Sequence, residues 1–156
     1  MFYMSVFMMS IVLVVLFTLL GGMKLRRMWL PGIVGFVVGL IVDYIAVQLE
    51  FYDFLNEALP VGGVATFHAL TVGSLSMIII PLWPDRLYPT LFYLSSISLF
   101  IVVMEYIGIS SGNFIQINWN YGASYVVNIL VLVVIFALTK LIGALIQPSK
   151  AFAKGD

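Results

Sequence analysis

The sequence predicts an all-α integral membrane protein, a bundle of five transmembrane helices with its N-terminus outside and its C-terminus in the cytoplasm. Of its 156 residues, 63% are hydrophobic and 9% are charged, whereas folded soluble proteins carry about 25% charged residues. The apolar runs are continuous and long enough for spanning helices of ~20 residues, and they lack the alternation of a membrane β-barrel. We therefore expect one transmembrane domain over residues 1–156, located in the plasma membrane with the lipid bilayer as its first partner.

The basic residues predict the orientation of this bundle. They fall only in the first loop, the third loop and the C-terminal end, and the second and fourth loops contain none. Because Lys and Arg are retained on the cytoplasmic side, the second and fourth loops are predicted to lie outside. There are two alternatives: the first two segments could form a re-entrant pair, or the third segment, with its glycines and serines, could fail to span. Either would place some basic residues outside, so five full spans are favoured. The seven basic residues are Lys24, Arg26, Arg27, Arg86, Lys140, Lys150 and Lys154.

The first two spans are predicted over about residues 2–20 and 31–49. Basic residues follow the first apolar run instead of preceding it, so this run is interpreted as a retained helix and not as a signal peptide. Pro31 is favoured in a first helical turn and is predicted to open the second span. The stretch 50–60 combines acidic and aromatic residues, and we expect it to form an acidic loop or a short interfacial helix.

The other three spans are predicted over about residues 61–82, 89–107 and 119–146. The short turn Trp83-Pro84-Asp85-Arg86, with an interfacial tryptophan, separates the third span from the fourth. The loop before the fifth span is uncharged, and Trp119 is predicted to mark the outer interface as part of an aromatic belt. Pro148 is expected to close the fifth helix.

Three ionisable residues lie within the predicted spans. Asp43 is about six residues, or ~9 Å, from the outer end of the second helix, His68 lies at a similar depth on the third, and Glu105 is nearer the surface on the fourth. All three are thus predicted in the outer half of the bilayer. A charged Asp at the bilayer centre costs ~2.5 to 3.5 kcal/mol, so such residues serve either packing or function.

Small residues predict which helix faces contact protein. On the second helix a glycine stripe with i, i+4 spacing leads directly to Asp43, and the third helix carries a similar stripe beside His68. Small residues allow two membrane helices to approach closely, so these faces are expected to pack against other helices. The predicted packing residues are Gly35, Gly39, Ala65, Ala69 and Gly73.

The polar helix faces are predicted to converge on one pocket that opens to the outside. Its expected ligand- or proton-binding residues are Asp43, His68, Glu105, Asn128 and Tyr125, with Tyr44, Tyr106 and Tyr121 at the rim. Histidine beside a carboxylate is typical of a proton relay, although a hydrogen-bonded structural histidine is the more common case. The alternative for Asp43 is a protonated or hydrogen-bonded role in holding the bundle together.

Composition excludes several other functions. The chain has no cysteine and one histidine, which removes disulfides, thiolate catalysis and multi-His metal sites. With zero formal net charge there is no basic field for nucleic acid, and no P-loop, dinucleotide or nucleophile-elbow motif is present. We therefore expect no cofactor, no metal, no nucleic-acid partner and no assigned catalytic residue.

Three functions remain open from the sequence. The first is a binding or transport-associated subunit for a small polar solute or cation, which as a thin bundle would conduct only as a homo-oligomer or with a partner membrane protein. The second is a structural membrane scaffold or assembly partner without a ligand. The third is an intramembrane enzyme with paired carboxylates, which requires one cavity reaching both Asp43 and Glu105.

Several features between the second helix and the C-terminal end occur together in one known pattern. They are Asp43, the aromatic–acidic stretch 51–54, the turn 84–86, Glu105 and the run 117–121, Ile-Asn-Trp-Asn-Tyr. In these features the chain resembles a family of small, uncharacterised five-span membrane proteins of spore-forming Gram-positive bacteria. Where the family pattern has a carboxylate on the third helix, this chain has His68. The resemblance implies a membrane location and five spans, and it brings no established activity.

Overall fold

The computed structural model describes residues 2–55, 60–61 and 64–146. Pro148, predicted to close the fifth helix, and the predicted cytoplasmic residues Lys150 and Lys154 lie outside this range, as do residues 56–59 of the predicted acidic loop. The helices are α1 Phe2–Leu19, α2 Leu25–Gln48, α3 Thr66–Ile79, α4 Leu87–Ser110 and α5 Tyr121–Ile146, and the strands are β1 Tyr52–Phe54, β2 Pro60–Val61, β3 Val64–Ala65 and β4 Phe114–Gln116.

Helices dominate the fold, and four of those described are long and apolar enough to cross a membrane. These four are α1, α2, α4 and α5. The apolar side chains on their outer faces are widely exposed, including Phe92 at 76% and Leu145 at 73%. Contiguous exposed apolar surface of this extent is unusual for a soluble monomer. The architecture is compatible with a multi-pass membrane protein.

The predicted third span is wrong at its N-terminal end. Helix α3 has only 14 residues, about 21 Å of helix, and the start of the predicted span forms the antiparallel strands β2 and β3. Val61 pairs with Val64, so only Gly62 and Gly63 separate the two strands in the sequence, and a Gly-Gly pair is typical of a two-residue hairpin. Ala65, predicted to be part of a helical packing stripe, is therefore a buried strand residue.

The predicted loop or interfacial helix after the second span is also wrong where the structure describes it. Tyr52–Phe54 forms β1, which pairs antiparallel with β4, so the connections after α2 and after α4 join in one small sheet. Both helices end in the same way: the amide of Phe51 donates to Ala46 O at 2.9 Å, and the amide of Asn113 donates to Gly108 O at 3.0 Å. This bond, from the third residue after the end of a helix to a carbonyl in its last turn, is typical of a Schellman motif.

The two Schellman motifs differ at the residue that adopts positive φ, and this difference supports a first prediction. Gly112 has φ 69° after α4, whereas Glu50 has φ 53° after α2. A side chain with a Cβ is disfavoured in the left-handed region. We expect Glu50→Gly to raise the free energy of unfolding in detergent by about 0.5 to 1 kcal/mol, and Gly112→Ala to lower it by a similar amount. A thermal unfolding series that shows no difference between the two variants would contradict this assignment.

Helices α2 and α3 form the closest pair of the bundle. Helix α1 packs on α3, α4 packs on α5, and α2 also contacts α5. The α2–α3 contact is close because glycines face it from both helices: a Cβ placed on Gly73 would lie 2.9 Å from Gly32 O, and one on Gly39 would lie 3.2 Å from Val72 Cβ. Gly35 faces Ser76 in the same contact. Ala69 is fully buried.

The interior is divided between the two ends of the bundle. The main apolar cluster joins α2, α3, α4 and α5 around Val38, Leu94 and Ile135. A second cluster, with Tyr3, Phe54 and Phe114, covers the end at which β1 and β4 lie. We call this end, which also carries Asp43, His68 and Glu105, the carboxylate end. The opposite end, with Lys24, Arg26, Arg27 and Arg86, is the basic end.

Candidate functional site

A cavity of about 200 Å³ lies within the bundle and extends to the carboxylate end. All five helices contribute to its wall, and β1 and β4 cover its polar end. Most of the lining is aliphatic or aromatic. The ionisable side chains of the lining lie together at the carboxylate end. The side chains at that end with polar groups include Asp43, His68, Tyr52, Glu105, Trp119, Ser124 and Asn128.

Asp43 is the centre of the first polar cluster. Its side chain is 4% exposed, and both carboxylate oxygens have partners. The Tyr52 hydroxyl donates to Oδ1 at 2.8 Å, and His68 Nδ1 lies 2.7 Å from Oδ2. His68 is in the first turn of α3, so Asp43 lies beside the positive end of that helix dipole, which favours a negative charge there.

Glu105 is the centre of the second polar cluster. Its Oε1 accepts hydrogen bonds from Gln116 Nε2 and from Ser124 Oγ, both at 2.8 Å. Ser124 Oγ also accepts a hydrogen bond from Trp119 Nε1 at 2.6 Å. Trp119, Ser124 and Glu105 therefore form one hydrogen-bonded chain. Within the described part of the chain, Glu105 forms no ion pair and its Oε2 has no hydrogen-bond partner. This carboxylate oxygen is an available acceptor in the cavity.

Two residues of the cavity lining are also exposed on the outer surface of the bundle. Met9 on α1 and Phe100 on α4 both line the cavity, and each is 51% exposed. These two helices are not among the closely packed helix pairs of the described residues.

The structure brings four of the five sequence-predicted site residues to this cavity. Asp43, His68, Glu105 and Asn128 line it, and the Asn128 side chain makes no hydrogen bond with another described residue. Tyr125 does not line it, because its hydroxyl is 2.5 Å from Ser95 Oγ in the α4–α5 contact. The predicted rim tyrosines are not in the lining either; they are exposed on the outer faces, and they are Tyr44, Tyr106 and Tyr121.

The sequence did not reveal the side chains that hold the two carboxylates. Tyr52 and Gln116 face each other across the β1–β4 register, and each donates to a different carboxylate. The alternation of Tyr52, Asp53 and Phe54, with aromatic residues on one face and a carboxylate on the other, is a period-2 strand signal that could have identified β1. Nothing in the local sequence indicates that its partner lies more than sixty residues away.

The Tyr52 hydroxyl provides a testable pH dependence. Burial, then the charge of Asp43 and its hydrogen bond, and then the charge of Glu105 raise the pKa of Tyr52 far above its usual value. The unfolded chain releases this proton near pH 10, while the folded chain retains it. Stability is therefore unaffected below pH 10, and the free energy of unfolding falls by up to about 1.4 kcal/mol per pH unit above it. Unfolding in detergent between pH 8 and 11 should show a shallower alkaline loss for Tyr52→Phe, and equal slopes would refute this role.

No three His, Cys, Asp or Glu side chains among residues 2–55, 60–61 and 64–146 are grouped closely enough to hold a metal ion.

Comparisons with protein-family models, with curated proteins and with solved structures found no match. The resemblance to small five-span membrane proteins therefore stays a prediction. The class that the fold and the cavity define is a helical, membrane-compatible protein with a largely apolar internal cavity and two carboxylate clusters at one end.

Proposed function

We propose that this chain is an integral membrane binding subunit whose cavity holds a small organic cation with an apolar body. The ammonium group would lie against Glu105 Oε2, near Asp43, and the apolar part would extend along the cavity wall. The observation that carries the proposal is the unpartnered Glu105 oxygen at the polar end of a mostly apolar cavity. A transport role would also require release of the bound cation on the other side of the membrane. For that step the chain would need a second copy of itself or another membrane protein.

Charge complementarity supports a cationic ligand. The lining contains two carboxylates and one imidazole, and no Lys or Arg of the described residues contributes to it. Even with His68 protonated, the lining has one carboxylate in excess. An isolated charge at this depth is expensive, and a bound ammonium would offset that cost by pairing with Glu105 in a site of low dielectric.

The aromatic residues support an organic cation over a bare metal ion. Tyr52, Phe54, Phe114 and Trp119 line the same polar end as the carboxylates, and aromatic faces attract ammonium groups through cation–π interactions. A metal ion would instead need several oxygen or nitrogen ligands around one point, and no such cluster is present among the described residues.

Cavity size limits the apolar body. An apolar cavity of roughly 150 Å³ is enough to hold benzene, so about 200 Å³ suits a compact aromatic or branched aliphatic amine. In this proposal such a molecule would enter from the surrounding apolar phase between α1 and α4, which are not closely packed. With the basic end retained in the cytoplasm, the carboxylate end would lie outside, and the ligand would come from the outer leaflet or the external solution.

A matched pair of probes tests the proposal. Benzylammonium and benzyl alcohol have the same number of non-hydrogen atoms and differ in charge. We expect benzylammonium to bind the purified full chain in nanodiscs, measured by calorimetry and thermal shift, at least about 10-fold more tightly than benzyl alcohol, because only the cation gains the charge-assisted contact with Glu105. Glu105→Gln should remove most of that preference.

Asp53→Asn is the matched control variant. It makes the same carboxylate-to-amide change in β1, but Asp53 does not line the cavity and its Oδ1 accepts the neighbouring amide of Phe54 at 2.8 Å. This variant should retain the preference for benzylammonium. If the wild-type chain binds neither probe, or if Glu105→Gln and Asp53→Asn behave alike, the binding proposal fails and the scaffold function is favoured.

A further inference from the structure

A second cavity, of about 670 Å³, lies at the basic end of the bundle. It is bounded by the turn between α3 and α4 and by the last third of α5. None of its lining residues lines the first cavity, so the two sites are separate. Its polar groups are the side chains of Asp85, Arg86, Thr90 and Lys140.

The second cavity contains a stacked aromatic pair. The rings of Trp83 and Phe136 are stacked with centroids 4.2 Å apart and planes inclined by 16°, and Lys140 Nζ lies 5.4 Å from the centroid of Phe136. Thr90 Oγ1 hydrogen-bonds to the carbonyl oxygens of Pro84 and Arg86 in the turn that carries Arg86. Both cationic side chains, Arg86 and Lys140, thus line one open cavity.

The positive charge in this cavity is not neutralised within the described residues. Neither Arg86 nor Lys140 forms a salt bridge with any of them. Asp85 also lines the cavity, so the lining has two cations and one carboxylate, an excess of one positive charge. This excess matches a phosphodiester, which carries one negative charge. The adjoining helix surface is apolar, with Leu87 70% exposed, as expected where acyl chains would lie beside a headgroup.

We propose that the second cavity binds the phosphodiester headgroup of an anionic phospholipid between Arg86 and Lys140. Basic pockets between helices are typical sites for anionic headgroups in the cytoplasmic leaflet, and the stacked Trp83 is the kind of side chain that lies at headgroup depth. Free inorganic phosphate offers the same oxyanion chemistry without acyl chains, so a test must separate the two sources. The proposal does not depend on the ligand of the first cavity.

The test uses the full chain, purified in a neutral detergent. Dioleoyl phosphatidylglycerol, dioleoyl phosphatidylcholine and inorganic phosphate are each added alone, and bound lipid is counted by native mass spectrometry while the unfolding temperature is recorded. We expect a one-to-one complex and a raised unfolding temperature with phosphatidylglycerol, and neither effect with phosphatidylcholine. The single variants Arg86→Gln and Lys140→Gln should each weaken the complex about fivefold, the effect of losing one basic side chain near an anionic lipid.

Lys24→Gln and Arg27→Gln are the matched controls, because they remove one positive charge each from exposed positions at the same end that do not line the cavity. They should leave the complex within about twofold of wild type. If inorganic phosphate stabilises the protein and phosphatidylglycerol does not, the cavity is an anion site whose ligand is a soluble phosphate, and the lipid proposal is wrong. Equal losses in pocket and control variants, or no stabilisation by either anion, would overturn the proposal.

Discussion

Replacing Asp43 by alanine is expected to lower the free energy of unfolding by about 2 to 5 kcal/mol. The substitution removes the acceptor for the Tyr52 hydroxyl and the partner of His68 Nδ1. Each buried polar group that loses its partner costs about 1 to 3 kcal/mol, so the two groups together would cost about 2 to 6 kcal/mol. The upper limit is lowered to about 5 kcal/mol because the His68 side chain is 34% exposed and water can replace part of its lost contact. Because Tyr52 belongs to β1, the loss should extend to the β1–β4 sheet. Thermal and chemical unfolding in detergent measures the effect.

Asp43→Asn separates the hydrogen-bonding role of Asp43 from its charge. The amide oxygen can still accept from Tyr52, and the amide nitrogen can donate to Nδ1 of a histidine protonated on Nε2. We expect this variant to recover at least half of the stability lost in Asp43→Ala. Asp53→Ala serves as the control, since Asp53 is outside the cavity and bonds only its neighbour's amide among the described residues. A loss in Asp53→Ala as large as that in Asp43→Ala would show that Asp43 is not the centre of this end of the fold.

Replacing Gly73 by valine is expected to destabilise the α2–α3 pair by about 3 kcal/mol. The new Cβ would lie 2.9 Å from Gly32 O and 3.0 Å from Phe36 Cβ. The first of these contacts is with backbone, which cannot rotate away, so the two helices must separate. Overpacking of this kind typically costs about 1 to 3 kcal/mol, and valine adds two further methyl groups. The variant should unfold at a clearly lower temperature in detergent and should lose binding to the first cavity, whose wall includes both helices.

Gly143→Val provides the comparison for this substitution. It makes the same change within α5, with the same change in helix propensity, but the nearest atom to its Cβ is Leu30 Cδ2 at 3.7 Å, an ordinary contact distance. We expect it to lose less than about 1 kcal/mol. If the two valine variants lose the same stability, then close helix approach at Gly73 is not what makes the position sensitive.

The helices were the part of the fold that could be predicted from the sequence, because an apolar run near twenty residues long has few alternatives. The bounds differ by a few residues where a helix meets a polar turn. Helix α2 begins at Leu25, and its predicted first residue, Pro31, lies inside it. The strands could not be predicted from span length, since β1 and β4 have three residues each and are stabilised by each other over a long sequence separation.

For the candidate site, the ionisable residues could be predicted from the sequence, but their hydrogen-bond partners could not. Ionisable residues inside apolar runs identified Asp43, His68 and Glu105, because charge in such a segment has a cost that has to be offset. Their partners depend on strand register and on the rotation of each helix. Ser124 and Tyr125 are neighbours on α5, yet a rotation of about 100° per residue directs the serine to Glu105 and the tyrosine to Ser95. Sequence spacing alone does not fix that rotation.

The shortness of α3 has a consequence for what a ligand would touch. Helix α2 has 24 residues, about 36 Å, whereas α3 has 14, about 21 Å. The chain directly before α3 is the strand β3 instead of further helical turns. His68, in the first turn of α3, therefore lies next to strand residues, and its ring centroid is 5.2 Å from that of Phe54 in β1. A molecule held against His68 would thus contact strands as well as helices, although every predicted contact of this chain was helical.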